Sequence, residues 1–205
     1  MNKISIAVLA SGRGSNFKAM LNGIRKGEVN AEIKVLVTNN PQAGAIKIAK
    51  RNNIPVEIIE IEKFSDREQF DLEIKKKLDS CHVDLVVLAG YMLLIKSKEL
   101  LSAYRYHIIN IHPSLLPAFQ GLNAQKQAFE YGVKISGLTI HFLDEELDHG
   151  PIIYQEAVDI SDCNSAEEVA EKILKREHKA YKKVIYSFSK GKYIIEGRRA
   201  KFVPY

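Results

Sequence analysis

Asn110 and His112 stand two residues apart in Ile108-Ile109-Asn110-Ile111-His112-Pro113-Ser114-Leu115-Leu116-Pro117, so on an extended segment their side chains leave the backbone on the same side. A carboxamide beside an imidazole suits acyl-type chemistry: the amide stabilises an oxyanion while the ring relays a proton. One His in an apolar strand would be read as structural, but Asn and His together point to a pocket, because unpaired polar groups are costly in a core. Upstream, Ser11-Gly12-Arg13-Gly14-Ser15-Asn16 follows an apolar run and opens a helical stretch. Backbone N–H groups in such a loop can point at a phosphate, although a plain β–α turn looks the same. A dinucleotide fits less well, since Phe17 takes the third glycine position and Thr38-Asn39-Asn40 offers no acidic ribose partner.

Glu177 falls four residues after Ile173 and four before Tyr181, where it interrupts the apolar face of the last helical stretch. It either meets a partner in a buried position or turns into water at the helix boundary. His141, between Ile140 and Phe142, is divided in the same way between core and pocket. Asp144, Glu145 and Glu146 read as a solvated acidic turn, and Lys75-Lys76-Lys77 as a solvated helix face. His82, His107, His149 and His178 show no metal-ligand spacing, so no metal is expected.

The elements that must position these residues are legible in the apolar pattern. Runs rich in Val, Ile and Leu recur at 4–10, 33–38, 56–59, 85–88 and 108–111, with helix-like stretches between most of them. This alternation predicts an α/β fold, a mostly parallel open sheet with helices on both faces. Carboxyl ends of such strands are where open α/β sheets bind ligands. Helix starts are read at Asn40-Pro41 before 42–51, at Ser65 with Glu68 three residues on, and at Ser97. Segments 136–143 and 152–158 predict later strands of the same sheet. A capping box at Ser165-Ala166-Glu167-Glu168 opens a long helix through Phe188 that Gly191 should end, and 198–205 reads as a peripheral tail. With no linker or repeat, residues 1–205 are expected to form a single domain.

Composition narrows the function classes. A chain 46% hydrophobic and 27% charged is neither disordered nor fibrous. The net charge of +5 is spread over 30 basic residues and suits a small anionic substrate as well as nucleic acid. No basic stripe is interleaved with aromatics, so nucleic acid is not an expected partner. Cys81 and Cys163 read as reduced thiols. No run approaches the roughly 18 apolar residues of a membrane span. Residues 1–10 lack a signal-peptide pattern, so a cytoplasmic location with no membrane partner is expected.

Taken together, Ala10-Ser11-Gly12-Arg13-Gly14-Ser15-Asn16, Leu88-Ala89-Gly90-Tyr91-Met92, the Asn110 to Pro117 run and Leu147-Asp148-His149-Gly150-Pro151 resemble, in order and over nearly the whole chain, the phosphoribosylglycinamide formyltransferases of purine biosynthesis. The resemblance implies a Rossmann-like formyltransferase fold. It also implies direct transfer of a formyl group from 10-formyltetrahydrofolate to the amine of 5′-phosphoribosylglycinamide, with no covalent enzyme intermediate. By position, Gly14, Ser15, Asn16 and Glu177 would hold the ribonucleotide. Arg67, Met92, Leu93, Leu94, Ile95 and Asn110 would border the folate, where apolar walls suit a flat pterin. Asn110 would stabilise the oxyanion, His112 would act as general acid, and Asp148 would organise water and keep His112 protonated. Leu93, Gln120 and Gln125 depart from the family pattern in places that bear on folate binding. Both a monomer and a homodimer fit the resemblance.

Two related enzymes share parts of the pattern, methionyl-tRNA formyltransferase and formyltetrahydrofolate deformylase. The first is expected to need a tRNA-binding extension after Tyr205, the second a regulatory domain before Ile4. A non-catalytic nucleotide- or RNA-binding module rests on the basic charge and on Arg198, Arg199 and Lys201 alone.

Overall fold

Runs such as Ile6-Ala7-Val8-Leu9 and Leu85-Val86-Val87-Leu88 have no polar side, so they become strands only where helices cover both faces of a sheet. The computed structural model shows that arrangement and describes residues 3–205. Met1 and Asn2, which begin both the expected 1–205 domain and the segment read for a leader, lie outside the described residues. The strands are β1 (Ile4–Leu9), β2 (Ala31–Thr38), β3 (Val56–Ile58), β4 (Leu85–Leu88), β5 (Ile108–His112), β6 (Ile135–Phe142), β7 (Ile152–Asp159), β8 (Gly191–Glu196) and β9 (Arg199–Pro204). The helices are α1 (Ser15–Arg25), α2 (Gly44–Arg51), α3 (Arg67–Ser80), α4 (Lys98–Ala103), α5 (Ala124–Tyr131) and α6 (Ala166–Phe188). No helix among the described residues is long and apolar enough to cross a membrane.

One sheet contains all these strands, in the order β3-β2-β1-β4-β5-β6-β7-β9-β8. Strands β1 to β5 run parallel to one another, and β6 is antiparallel to both β5 and β7. The strand order reverses between β1 and β4, which opens a crevice at their carboxyl ends. Alternation along the central strands divides the core in two. Ile6 and Val8 with Leu85 and Val87 face α1, α2, α5 and α6. Ala7 and Leu9 with Val86 and Leu88 face Phe70, Ile74 and Leu78 of α3 and Leu100 and Leu101 of α4. The mostly parallel sheet covered on both faces is the expected architecture.

Several details depart from the sequence reading. The cap of α3 is Asp66 rather than Ser65, its carboxylate accepting from Gln69 N at 2.9 Å. Glu68 does not reach back to the helix start; it accepts from the Ser97 hydroxyl at 2.6 Å and so ties α3 to the start of α4. Helix α2 begins at Gly44, two residues after the expected 42. Helix α6 ends at Phe188 with a cap at Ser189, so Gly191 opens β8 instead of stopping the helix. A side chain at Gly191 would place Cβ 2.2 Å from the Val203 carbonyl oxygen of the paired strand. The expected tail at 198–205 is instead β9, paired along its length with β8.

Gly150 joins this frame to the site described next. A Cβ there would lie 1.9 Å from the Phe142 carbonyl oxygen at the end of β6, so the 144–150 loop can return to the sheet only over a glycine. Gly150→Ala should therefore lower the urea midpoint without changing its slope, by an amount equivalent to about 1–3 kcal/mol.

Candidate active site

The antiparallel register of β5 and β6 sets Asn110 opposite His141 and His112 opposite Thr139. Their neighbours Ile109, Ile111, Ile140 and Phe142 point into the core under α6, which sends all four polar side chains to the other face. The apolar cover from α3 and α4 reaches β5 only at Ile108, so beyond it the sheet face is polar. His141, left between core and pocket by the sequence, is 2% exposed and is buried in the polar cluster on this face, away from the apolar core under α6.

The polar groups close on one another. His141 Nδ1 lies 2.8 Å from the Phe142 carbonyl, an acceptor only, so Nδ1 carries the proton and Nε2 is free to accept. Asn110 Nδ2 lies 3.4 Å from that Nε2. Burial lowers the His141 pKa, which favours this neutral form, against the opposing pull of the Phe142 carbonyl and Asp148. Asp148 arrives on the 144–150 loop with its side chain only 7% exposed. Its Oδ2 lies 3.2 Å from His112 Nδ1 and accepts from Gly121 N at 2.8 Å. Its Oδ1 lies 3.8 Å from His141 Nε2. The second nitrogen of His112, Nε2, is 2.7 Å from the Phe119 carbonyl. Only a doubly protonated ring can donate to both acceptors at once.

Two loops frame this cluster. Residues Phe119 (φ 54°), Gly121 (φ 79°), Asn123 (φ 59°) and Asp148 (φ 50°) all have left-handed backbone. Gln120, one of the departures from the family pattern, joins the loops by donating from Nε2 to the Leu147 and Asp148 carbonyls at 3.2 and 3.3 Å.

Across the strand-order reversal lies the 11–16 loop. Ser11 N donates to the Gly90 carbonyl at 3.0 Å. Its hydroxyl donates to Asn39 Oδ1 at 2.6 Å and accepts from Met92 N at 3.0 Å, which stitches together the exits of β1, β2 and β4. Helix α1 starts at Ser15 after Gly14 in the left-handed region (φ 78°) and has no side-chain cap. Lys18 N donates to the Gly14 carbonyl at 2.9 Å, which leaves the N–H groups of Ser15, Asn16 and Phe17 without an intrahelical acceptor or a capping side chain. A Cβ on Gly14 would come within 2.9 Å of Ala45 Cβ, so α2 packs too closely there for any other residue. Asn16 is buried; its Nδ2 donates to Glu177 Oε2 at 2.8 Å, while its Oδ1 has no partner. Glu177 is buried as well, so it does not turn into water, and burial raises its pKa against the opposing hydrogen bond from Asn16.

The residues expected at the folate edge divide into surface and support. Met92 is 60% exposed and Leu94 37%, with Leu93 half-buried beside them. Ile95 is 1% exposed and packs into the core, so it supports the wall without forming its surface. Arg67 also acts from behind: it donates to the Leu94 carbonyl and lies 3.5 Å from Asp71 Oδ1. Asp71, fully buried, accepts from Lys96 N at 2.6 Å and Ser97 N at 3.0 Å. Sequence reading missed Asp71, yet Asp71, Ile74 and Leu78 share helical spacing, so a carboxylate on a buried stripe was the available signal.

The model of the family described as formyl transferase matches residues 4–185. The chain is 44% identical to phosphoribosylglycinamide formyltransferase of Bacillus subtilis, over 87% of this chain and 91% of that protein. The crystal structure of glycinamide ribonucleotide transformylase 1 from Symbiobacterium toebii superposes with a TM-score of 0.94 at 40% identity, covering 98% of this chain and 94% of that one. A formyltetrahydrofolate deformylase from Pseudomonas syringae is more distant, with a TM-score of 0.81 at 26% identity over 98% of this chain and 66% of that one. With its polar cluster on the β5–β6 face and its glycine loop at the strand-order reversal, the chain belongs to the formyl transferase family, in its phosphoribosylglycinamide formyltransferase branch.

Proposed function

We propose that the chain transfers the formyl group of 10-formyltetrahydrofolate to the amine of 5′-phosphoribosylglycinamide. The observation that carries this reading is the convergence of Asn110, His112 and Asp148 on one sheet face, beside the crevice that the 11–16 loop borders. The uncapped first turn of α1 suits the phosphate. Glu177, which accepts from Asn16 through Oε2, can accept from sugar hydroxyls as well. The apolar edge of Met92, Leu93 and Leu94 suits a flat pterin ring, and both partners are small molecules.

When the amine attacks the formyl carbon, the Asn110 carboxamide donates to the oxygen that takes up charge. His112 delivers a proton to the departing nitrogen, and Asp148 stabilises the protonated ring beforehand. One proton leaves the attacking amine and one reaches the leaving nitrogen, so the transfer is proton-neutral overall. His141, held neutral, orients Asn110 through Nε2. The reading calls for no metal ion, no nucleic acid and no attacking Ser or Cys. Residues 3–205 act as one domain, in the cytoplasm.

Mass spectrometry of a reaction with both substrates should show formylated ribonucleotide; formate released without it would identify a deformylase instead. His112→Ala should lower kcat about 10²–10⁴-fold, and Asn110→Ala about 10²–10³-fold. Normal turnover in His112→Ala would remove the general-acid role.

Glu177→Gln separates binding from folding. Because burial raises the folded pKa of Glu177, stability attached to this group is present at low pH and is lost as pH rises from the unfolded carboxylate range through the raised folded value. Glutamine keeps the acceptor for Asn16 and removes that loss. Near neutrality the variant should be at least as stable as the parent by thermal unfolding, with a higher KM for the ribonucleotide and an unchanged KM for the folate.

A further inference from the structure

The turn between β8 and β9 lies beyond residues 4–185, which the family model matches, yet it touches the loop that carries Asp148. Arg199 pairs with Ile152 at the start of β7, so Arg198 stands abreast of the chain just before it, where the 144–150 loop rejoins the sheet. Arg198 Nη2 donates to the His149 carbonyl, and Nη1 lies 2.6 Å from His149 Nε2 and 3.3 Å from Nδ1. A guanidinium has donors only, so the nearer nitrogen, Nε2, accepts and the imidazole proton sits on Nδ1. There it meets Asp144 Oδ2 at 2.7 Å. The result is a chain from Arg198 through His149 to Asp144, fastening the main chain one residue after Asp148 and the opening of the same loop.

Asp148 has left-handed backbone at φ 50°, a conformation that persists in a non-glycine residue only when its surroundings hold it. From one side Gln120 holds the Leu147 and Asp148 carbonyls and Gly121 N holds the carboxylate. From the other side the hold is Arg198. Lys98 reaches the loop too, at Glu145 and 3.3 Å, but it meets only a side chain there, whereas Arg198, itself exposed, grips the main chain beside Asp148.

The geometry points to Arg198 as a positioning residue for Asp148, acting through His149. This assignment rests on the role proposed for Asp148 above. The test compares Arg198→Ala, Arg198→Lys, Lys98→Ala and Asp148→Asn in the full-length chain, by steady-state kinetics and by amide hydrogen exchange over 144–150. Arg198→Ala should lower kcat by about 10–100-fold, the scale of a small misplacement near reacting groups. KM for both substrates and the melting temperature should stay near those of the parent. Arg198→Lys should recover part of the loss, because an ammonium can serve the carbonyl without matching the two-point grip, and Lys98→Ala should behave like the parent. In the Asp148→Asn background, Arg198→Ala should add little further loss. Faster exchange over 144–150 in Arg198→Ala is expected whatever Asp148 does, so full activity in Asp148→Asn with faster exchange would fault the proposed function and leave the contact standing. Unchanged exchange, parental kcat, or a kcat loss matched by a fall in melting temperature would overturn the assignment.

Discussion

The pairing of β5 with β6 is the constraint on which the rest of the site depends. Side chains alternate along a strand with period two, so a slip of one residue would bury Asn110 and His112 under α6 and turn Ile109 and Ile111 toward the pocket. The large apolar residues on the core side forbid that slip. Ile109, Ile111, Ile140 and Phe142 are each buried, and Phe142 also meets Tyr106, Phe188 and Tyr193 in edge-on ring contacts. The precision of the polar face is thus inherited from the packing of the apolar one.

A second consequence of this sheet is where its polar atoms find partners. Tyr181 on α6 is fully buried and donates through its hydroxyl to the Leu88 carbonyl at the end of β4. Glu177, one turn earlier on the same helix, meets Asn16 at the start of α1. The longest helix therefore braces the strand-order reversal from below while Ser11 braces it from above. Both sides of the crevice are built on rigid elements, and the groups with more freedom to move are carried by loops.

Those loops are held mainly by polar contacts. The 144–150 loop returns to the sheet over Gly150, and Asp148, Gln120 and Gly121 fasten it to the neighbouring loop. Such contacts can be exchanged for contacts with water, so the loop that sets Asp148 beside His112 is ordered by the fold without being packed into the apolar core. The departures from the family pattern acquire physical content here. Gln120 supplies contacts to the loop carrying Asp148, whereas Leu93 leaves the Met92–Leu94 edge more apolar than a basic residue would.

The sequence by itself determined strands β1 to β7, most of the helices and the short-range juxtapositions. Period-two and period-3.6 patterns survive in any fold that buries them, and Asn110 and His112 share a face because they are two residues apart. The glycine loop at the first strand exit was legible for the same reason. What the tertiary structure alone decided were pairings between distant residues, Asn110 with His141 and Arg198 with His149, while Asp148 beside His112 and Glu177 beside Asn16 were implied by the family resemblance and by no local pattern. None leaves a local signature, because each depends on strand order and register. The two ambiguous polar residues, Glu177 and His141, were settled by which neighbours covered them. The last strands were missed because a short alternating segment shows itself as a strand only beside a partner, and β9 finds its partners in β7 and β8.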